Sequence, residues 1–129
     1  MASLRCVVVT PEKTALNREA DYISLPMDDG ELGVLKGRAP MIGRLGFGTL
    51  RLQTAAGPER YYVDGGFAQV EDNVVNILTG KLIPVDLIDN DKAREELNEA
   101  RTLPSSKLED MAIKQLAIRK ARGKVRASS

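Results

Sequence analysis

The chain has no histidine, no tryptophan and one cysteine, and only two phenylalanines and three tyrosines among its 129 residues. Without histidine, Ser-His-Asp and Cys-His nucleophilic schemes are excluded, as are the common zinc sites built on imidazole. A lone cysteine cannot close an internal disulfide. Cys6, within the apolar run Cys6-Val7-Val8-Val9, reads as a buried, reduced thiol of a cytosolic-type compartment. No apolar run approaches the roughly 20 residues that span a bilayer, so no transmembrane segment is expected. Met1-Ala2-Ser3-Leu4 carries neither a basic segment nor an apolar signal core, and no export or import signal is expected. A phosphate loop is also missing: Gly80-Lys81 is followed by Leu82 instead of Ser or Thr, and Val75 stands where the first glycine belongs. The poverty of aromatics, with a net charge of +1, argues against nucleic acid as a partner. These absences point away from an enzyme working alone and toward a part that binds or braces.

What is present falls into two grammars. From Leu4 to Val85, short apolar or alternating runs are separated by turn residues. The expected strands are 4–9, 14–19, 21–25, 32–35, 41–45, 48–54, 60–64, 67–71 and 74–79. Turns are expected at Thr10-Pro11, Asp28-Asp29-Gly30, Ala56-Gly57-Pro58, Asp64-Gly65-Gly66 and Asp72-Asn73, with Gly65-Gly66-Phe67 read as a hairpin. Short strands at this spacing predict an antiparallel sandwich or barrel. After Pro84 the pattern turns helical. Asp86 or Asp89 can cap a helix over 91–101, with Ala93, Leu97 and Ala100 on one narrow stripe. Leu103-Pro104-Ser105-Ser106 ends it, and Ser106 can cap a second helix over about 107–125. Ile113, Leu116, Ala117 and Ala121 lie on one side of that helix, with Leu108, Met111 and Ile118 as a second shoulder. The chain thus divides into a β unit, 1–86, and a helical hairpin, 87–129, that could lie on a surface or leave it.

Charge follows the same division. The first 103 residues sum to −4 and the last 26 to +5, so the cationic end suits an anionic partner. A lipid surface is disfavoured because the helix lacks a large apolar face, leaving an acidic protein surface opposite Arg119, Lys120, Arg122, Lys124 and Arg126. A solvated helix face is the plainer reading of the same charges. The exposed turn Lys36-Gly37-Arg38-Ala39-Pro40-Met41, bearing a cation and a rigid proline, has the character of a recognition loop held by a stiff sheet.

The ordered set Val9-Thr10-Pro11-Glu12, Asp29-Gly30-Glu31-Leu32-Gly33-Val34-Leu35, Gly37-Arg38-Ala39-Pro40, Gly48-Thr49-Leu50, Gly65-Gly66-Phe67-Ala68-Gln69-Val70, Asn73-Val74-Val75-Asn76-Ile77-Leu78, Ile88-Asp89 with Ala93, and Leu116-Ala117-Ile118-Arg119-Lys120-Ala121 resembles the ε subunit of rotary F-type ATP synthase, called δ in mitochondria. The resemblance covers nearly the whole chain. It implies a flattened antiparallel β-sandwich of about ten strands followed by an antiparallel two-helix hairpin. It also implies a non-catalytic part of the central stalk, peripheral on the cytoplasmic or stromal face of the membrane; the expected absence of a transit segment favours a bacterial or organelle-encoded setting. Its partners would be the γ subunit, the membrane rotor ring (c-ring) through Glu31, Gly37, Arg38, Ala39, Pro40 and Met41, and the catalytic β subunits through the five cations of the second helix. In many members the hairpin restrains ATP hydrolysis.

Two positions depart from the family pattern. Arg38 stands where histidine is common, giving the ring loop a permanent positive charge. Lys92 stands in the arginine place of the Ile-Asp-x-x-Arg-Ala signature of ATP-binding members, so Ile88, Asp89, Lys92 and Ala93 would meet a regulatory ATP without a bidentate fork. No cofactor is otherwise required. Two further readings stand beside this one: a hairpin that only braces the sandwich, and a free-standing binding module with a basic tail.

Overall fold

The computed structural model describes residues 4–128; Met1-Ala2-Ser3, on which the expectation about targeting partly rests, lies outside them. Eight strands form first: β1 (Leu4–Val9), β2 (Thr14–Ala20), β3 (Tyr22–Met27), β4 (Gly30–Val34), β5 (Met41–Thr54), β6 (Gly57–Glu71), β7 (Val74–Leu78) and β8 (Leu82–Pro84). A 3-10 turn (Val85–Leu87) then leads into α1 (Asn90–Arg101) and α2 (Leu108–Ala127). The strands hydrogen-bond in the order β2-β1-β7-β6-β5-β3-β4, with β8 beside β6. All pairs are antiparallel except β1 with β7.

One core lies inside. Leu4, Cys6 and Val8 of β1 share it with Ile23 and Leu25 of β3, Leu50 and Leu52 of β5, Val70 of β6, and Val75 and Ile77 of β7. Strands far apart in the hydrogen-bonding order thus face each other across it, as a sandwich requires. Each large aliphatic side chain buried there contributes about 1.5–3 kcal/mol. Cys6 is fully enclosed, as expected of a buried thiol, and burial pushes its thiol up to about 12.

The described residues hold eight strands, where the pattern predicts nine segments and the resemblance implies about ten: two expected pairs fuse and β8 is added. Segments 41–45 and 48–54 are one strand, β5, and 60–64 with 67–71 are another, β6. They run side by side in one register from Met41↔Val70 to Thr54↔Gly57, joined by the turn at Ala55-Ala56. Gly65-Gly66 is therefore a mid-strand feature and not a hairpin turn. At this point the inward phase changes. Tyr61 and Val63 face the core before it, Ala68 and Val70 after it; on β5 the phase passes from Leu45 to Leu50 and Leu52. Gly65 and Gly66 make that change with φ of 71° and 112°, conformations open to glycine. A Cβ on Gly66 would also run into the carbonyl oxygen of Leu78. The expected turn at Asp72-Asn73 is present, with positive φ at both residues as a two-residue hairpin of the I′ kind demands. β8 was not among the expected strands; three residues are too few for a periodic signal.

The phase change turns Phe47 and Tyr62 away from the sandwich core and toward the helices. They form a second cluster with Val85, Ile83, Ile88 and Ala127. α1 starts as expected at Asp89, whose carboxylate accepts from the backbone N–H groups of Asp91 and Lys92. α2 starts differently: Lys107 occupies the cap position, with no side chain bonding the first turn, so Ser106 does not cap it. The helices run antiparallel, as Asn90 Nδ2 donating to Ser128 Oγ at 2.8 Å and Lys124 pairing with Glu96 at 3.1 Å show.

Candidate functional site

The hairpin is docked on the sandwich, and small residues make this possible. α2 buries Ala121, Gly123 and Ala127, while Leu108, Met111, Ile113 and Leu116 in its first half stay exposed. Gly123 lies against the backbone of β5: a Cβ there would sit 2.7 Å from the Phe47 carbonyl oxygen. Arg119 and Lys120 flank the Phe47 ring at 5.5 and 5.9 Å from its centroid. Arg119 also pairs with Asp28 at 2.8 Å, and Lys120 with Asp64 at 3.7 Å. Beneath them the Tyr62 hydroxyl, completely buried, lies 3.3 Å from both the Lys120 carbonyl oxygen and the Asp64 carboxylate. Desolvation, reinforced by the charge of Asp64, raises the Tyr62 phenol well above its ordinary value.

The five cations read as a partner surface therefore divide. Arg119, Lys120 and Lys124 face carboxylates of this same chain, Asp28, Asp64 and Glu96. Arg122 and Arg126 are exposed and form no ion pair among the described residues. With Arg119 they line a cleft of about 370 Å³ between α2 and the β3–β4 turn.

At the far end of β5, residues 35–40 are exposed, with Met41 half-buried. The loop is shaped by two hydrogen bonds: Arg38 N–H donates to the Leu35 carbonyl at 3.2 Å, and Gly37 N–H to Asn73 Oδ1 at 2.8 Å, which ties it to the β6–β7 turn. Glu31, Arg38 and Met41 border one cleft of about 600 Å³, together with Asp28, Asp29 and Arg44. Glu31 thus shares a cleft with Arg38 and Met41 of the loop, while Gly37, Ala39 and Pro40 do not line it.

Ile88, Asp89, Lys92 and Ala93 converge less well. Ile88 packs in the cluster around Tyr62, Ala93 is buried, and Asp89 caps α1 with its carboxylate. Lys92 is the one cation of the four and is exposed. A carboxylate beside a single ammonium is a poor fit for a triphosphate.

One surface escaped the sequence reading. Arg44, Phe67, Leu78 and Val9 are direct partners in successive ladders, so they form a row on one face across β5, β6, β7 and β1. Ile42 and Val7 belong to the adjacent row. Ile42 is 73% exposed, Phe67 50% and Leu78 57%, and the Arg44 guanidinium lies 5.8 Å from the Phe67 ring centroid. The signal was available in Cys6-Val7-Val8-Val9. A half-solvated strand alternates, whereas an unbroken apolar run reports covering on both faces.

A sequence model of the ATP synthase delta/epsilon chain β-sandwich domain matches residues 3–85. An ATP synthase epsilon chain of Rhodopirellula baltica is 69% identical over 126 residues, covering 98% of each chain. The sodium-ion-specific epsilon chain of Propionigenium modestum is 34% identical over 128 residues, covering 98% of this chain and 93% of its own length. Among solved structures, a chain of the Euglena gracilis mitochondrial ATP synthase (OSCP/F1/c-ring, rotational state 1) superposes with a TM-score of 0.88 at 26% identity, covering all of this chain and 83% of that one. A chain of the Tetrahymena thermophila mitochondrial central stalk and c-ring shares the fold, with a TM-score of 0.74 at 15% identity over 98% and 97% of the two chains. An eight-stranded sandwich with a docked helical hairpin, related along its whole length to epsilon chains, belongs to the delta/epsilon family of ATP synthase subunits.

Proposed function

We propose that the chain is a non-catalytic subunit of the central stalk that couples rotation of the membrane ring to ATP synthesis, using Phe67 and Leu78 of one outer row and Ile42 of the next to grip the γ subunit. The observation that supports this is the apolar patch itself: three large side chains from two adjacent rows, half to three-quarters exposed, on a sheet face that water alone would not favour. Arg44, held over Phe67, supplies an orienting charge at its edge. The loop 36–41 and Glu31, at the opposite end of the β5–β6 pair from the Ala55-Ala56 turn, would rest on the polar loops of the c-ring. Among the described residues no helix is long and apolar enough to cross a membrane; attachment in this reading is peripheral, and the resemblance implies the cytoplasmic or stromal face. The test is Phe67→Asp in the full chain. Co-purification with γ is expected to fall at least tenfold while core amide protection is kept; wild-type recovery would retire the γ-facing assignment. Arg38→Glu is expected to weaken retention on the ring, and unchanged retention would remove that contact.

The hairpin supports a second element, restraint of ATP hydrolysis by contact with the catalytic β subunits. Arg122 and Arg126 are available to an acidic partner at once, Arg119 after exchanging a half-exposed ion pair that contributes about 0–1 kcal/mol, and Lys120 and Lys124 after exchanging pairs that are partly covered at Asp64 and Lys124. ATP hydrolysis by the catalytic complex is expected to be faster with a chain ending at Asp86 than with the full chain, and the difference to shrink with salt. Equal rates with both incorporated would leave a structural coupler. Regulation by ATP enters only in a weak form, through Lys92, and a flat calorimetric titration at millimolar ATP would end it.

A further inference from the structure

We infer that the two-residue turn between β3 and β4 couples the docked position of the hairpin to the ring-facing cleft, with Asp28 as the positioning residue. This rests on the assignment of that cleft to the ring. Met27 pairs with Gly30, so Asp28 and Asp29 form the tip of the turn. A cleft lies on either side of it. The first, about 600 Å³, contains Glu31, Arg38 and Arg44; the second, about 370 Å³, contains Phe47, Arg119, Arg122 and Arg126. Met27, Asp28 and Gly30 belong to both walls. Asp28 is tied to each: its N–H donates to the Arg44 carbonyl at 2.9 Å, and its carboxylate accepts from Arg119 at 2.8 Å.

Two physical consequences follow. A partner that fills the first cleft and fixes the turn also fixes the carboxylate that α2 grips, and the effect is reciprocal by linkage. Charge gives the direction. The first cleft has three carboxylates, Asp28, Asp29 and Glu31, against two guanidinium groups, Arg38 and Arg44. Arg51 reaches Glu31 at 4.0 Å from outside the cleft, and Arg119 reaches Asp28 from behind, so the charges balance when the hairpin is released and are net positive when it is docked. A ring loop presenting carboxylates toward Arg38 is held better by the net positive cleft. Docking then favours ring contact, and ring contact favours docking. The connecting ion pair is about half exposed on both sides, which limits the effect to about two- to fivefold.

The experiment is a double-mutant cycle. Full-length chain, Arg119→Gln, Asp28→Asn and the double variant are each titrated onto the detergent-solubilised γ–ring rotor, with Arg38→Glu in parallel. Arg119→Gln is expected to weaken binding two- to fivefold in the wild-type background and to have no effect in the Asp28→Asn background. Hydrogen exchange across 119–127 is expected to slow on ring binding only when Asp28 is present. If Arg38→Glu weakens binding but Arg119→Gln does not, the coupling is wrong and the ring assignment stands. An equal loss from Arg119→Gln in both backgrounds also overturns it, because Arg119 would then touch the partner itself. If Arg38→Glu has no effect, the ring assignment falls and the coupling with it.

Discussion

Gly123→Ala separates two effects that ordinarily travel together, helix stability and helix docking. Position 123 is inside α2, where alanine is a better helix former than glycine by about 1 kcal/mol. Considered as a helix, the variant is improved. Considered as a docked helix, it is obstructed: the new methyl would sit 2.7 Å from the Phe47 carbonyl oxygen and 3.0 Å from its carbonyl carbon, both main-chain atoms of a paired strand. Overpacking of this kind costs about 1–3 kcal/mol, equivalent to about a 5- to 150-fold shift in the docked population. The opposing contacts are few, since the ion pairs of Arg119 and Lys120 are partly exposed and weak. Helix content by circular dichroism is therefore expected to hold or rise, while amide exchange of 119–127 accelerates and that of β1, β6 and β7 stays slow. Tyr62 gives an independent readout, because undocking removes the cover of its hydroxyl and its phenol returns toward the ordinary tyrosine value. Unchanged exchange and an unchanged tyrosine titration would refute the close-approach argument. Loss of protection in the β core would refute the idea that the hairpin is separable.

Other outcomes can be stated more briefly. Ile77→Ala, in the centre of the sandwich, is expected to cost about 2–5 kcal/mol in denaturant titrations. Asp89→Ala removes the N-cap of α1 and is expected to cost about 0.5–2 kcal/mol, read as local fraying by exchange with the sandwich unaffected. Cys6 is held protonated to about pH 12 when folded but ionises near its ordinary value of 9.0 when unfolded, and Tyr61 and Tyr62 are raised in the same sense. Stability from these groups is fully present below about pH 9 and lost as pH rises toward 12. Cys6→Val is expected to flatten the early part of that fall, and melting curves from pH 8 to 11 would show it.

The sequence reading and the structure agree where a local rule settled the matter. Asp72-Asn73 tolerates positive φ and makes a turn; Asp89 precedes an amphipathic stripe and makes a cap; Pro104 separates the helices. Agreement failed where the decisive partner was distant in sequence. The phase change at Gly46–Gly48 and Gly65-Gly66 breaks alternation as a turn would, and only the opposite strand distinguishes the two. The row of Phe67 and Leu78 was invisible because each residue looks ordinary in its own segment; cross-strand register assembles them. Docking of α2 through Ala121, Gly123 and Ala127 ran against the usual search for large apolar residues, which this helix leaves in solvent at Leu108 and Ile113. The candidate site shows the same division. Loop 36–41 was legible from its own composition, whereas the carboxylates that engage Arg119, Lys120 and Lys124 lie 91, 56 and 28 residues away.

The long β5–β6 pair has a mechanical consequence. At about 3.4 Å per residue, 14 residues of β5 make a beam about 45 Å long, with thirteen registered pairs bridging it to β6. A load applied at the end near Met41 can deform that ladder only by shearing many hydrogen bonds together, except at one seam. Gly46 and Gly65 stand opposite each other where the register has no paired bridge, and the inward face changes there. Compliance should concentrate on that line. The backbone of Gly123 rests beside it, on Phe47, so the docked hairpin acts as a splint across the one place where the beam would bend.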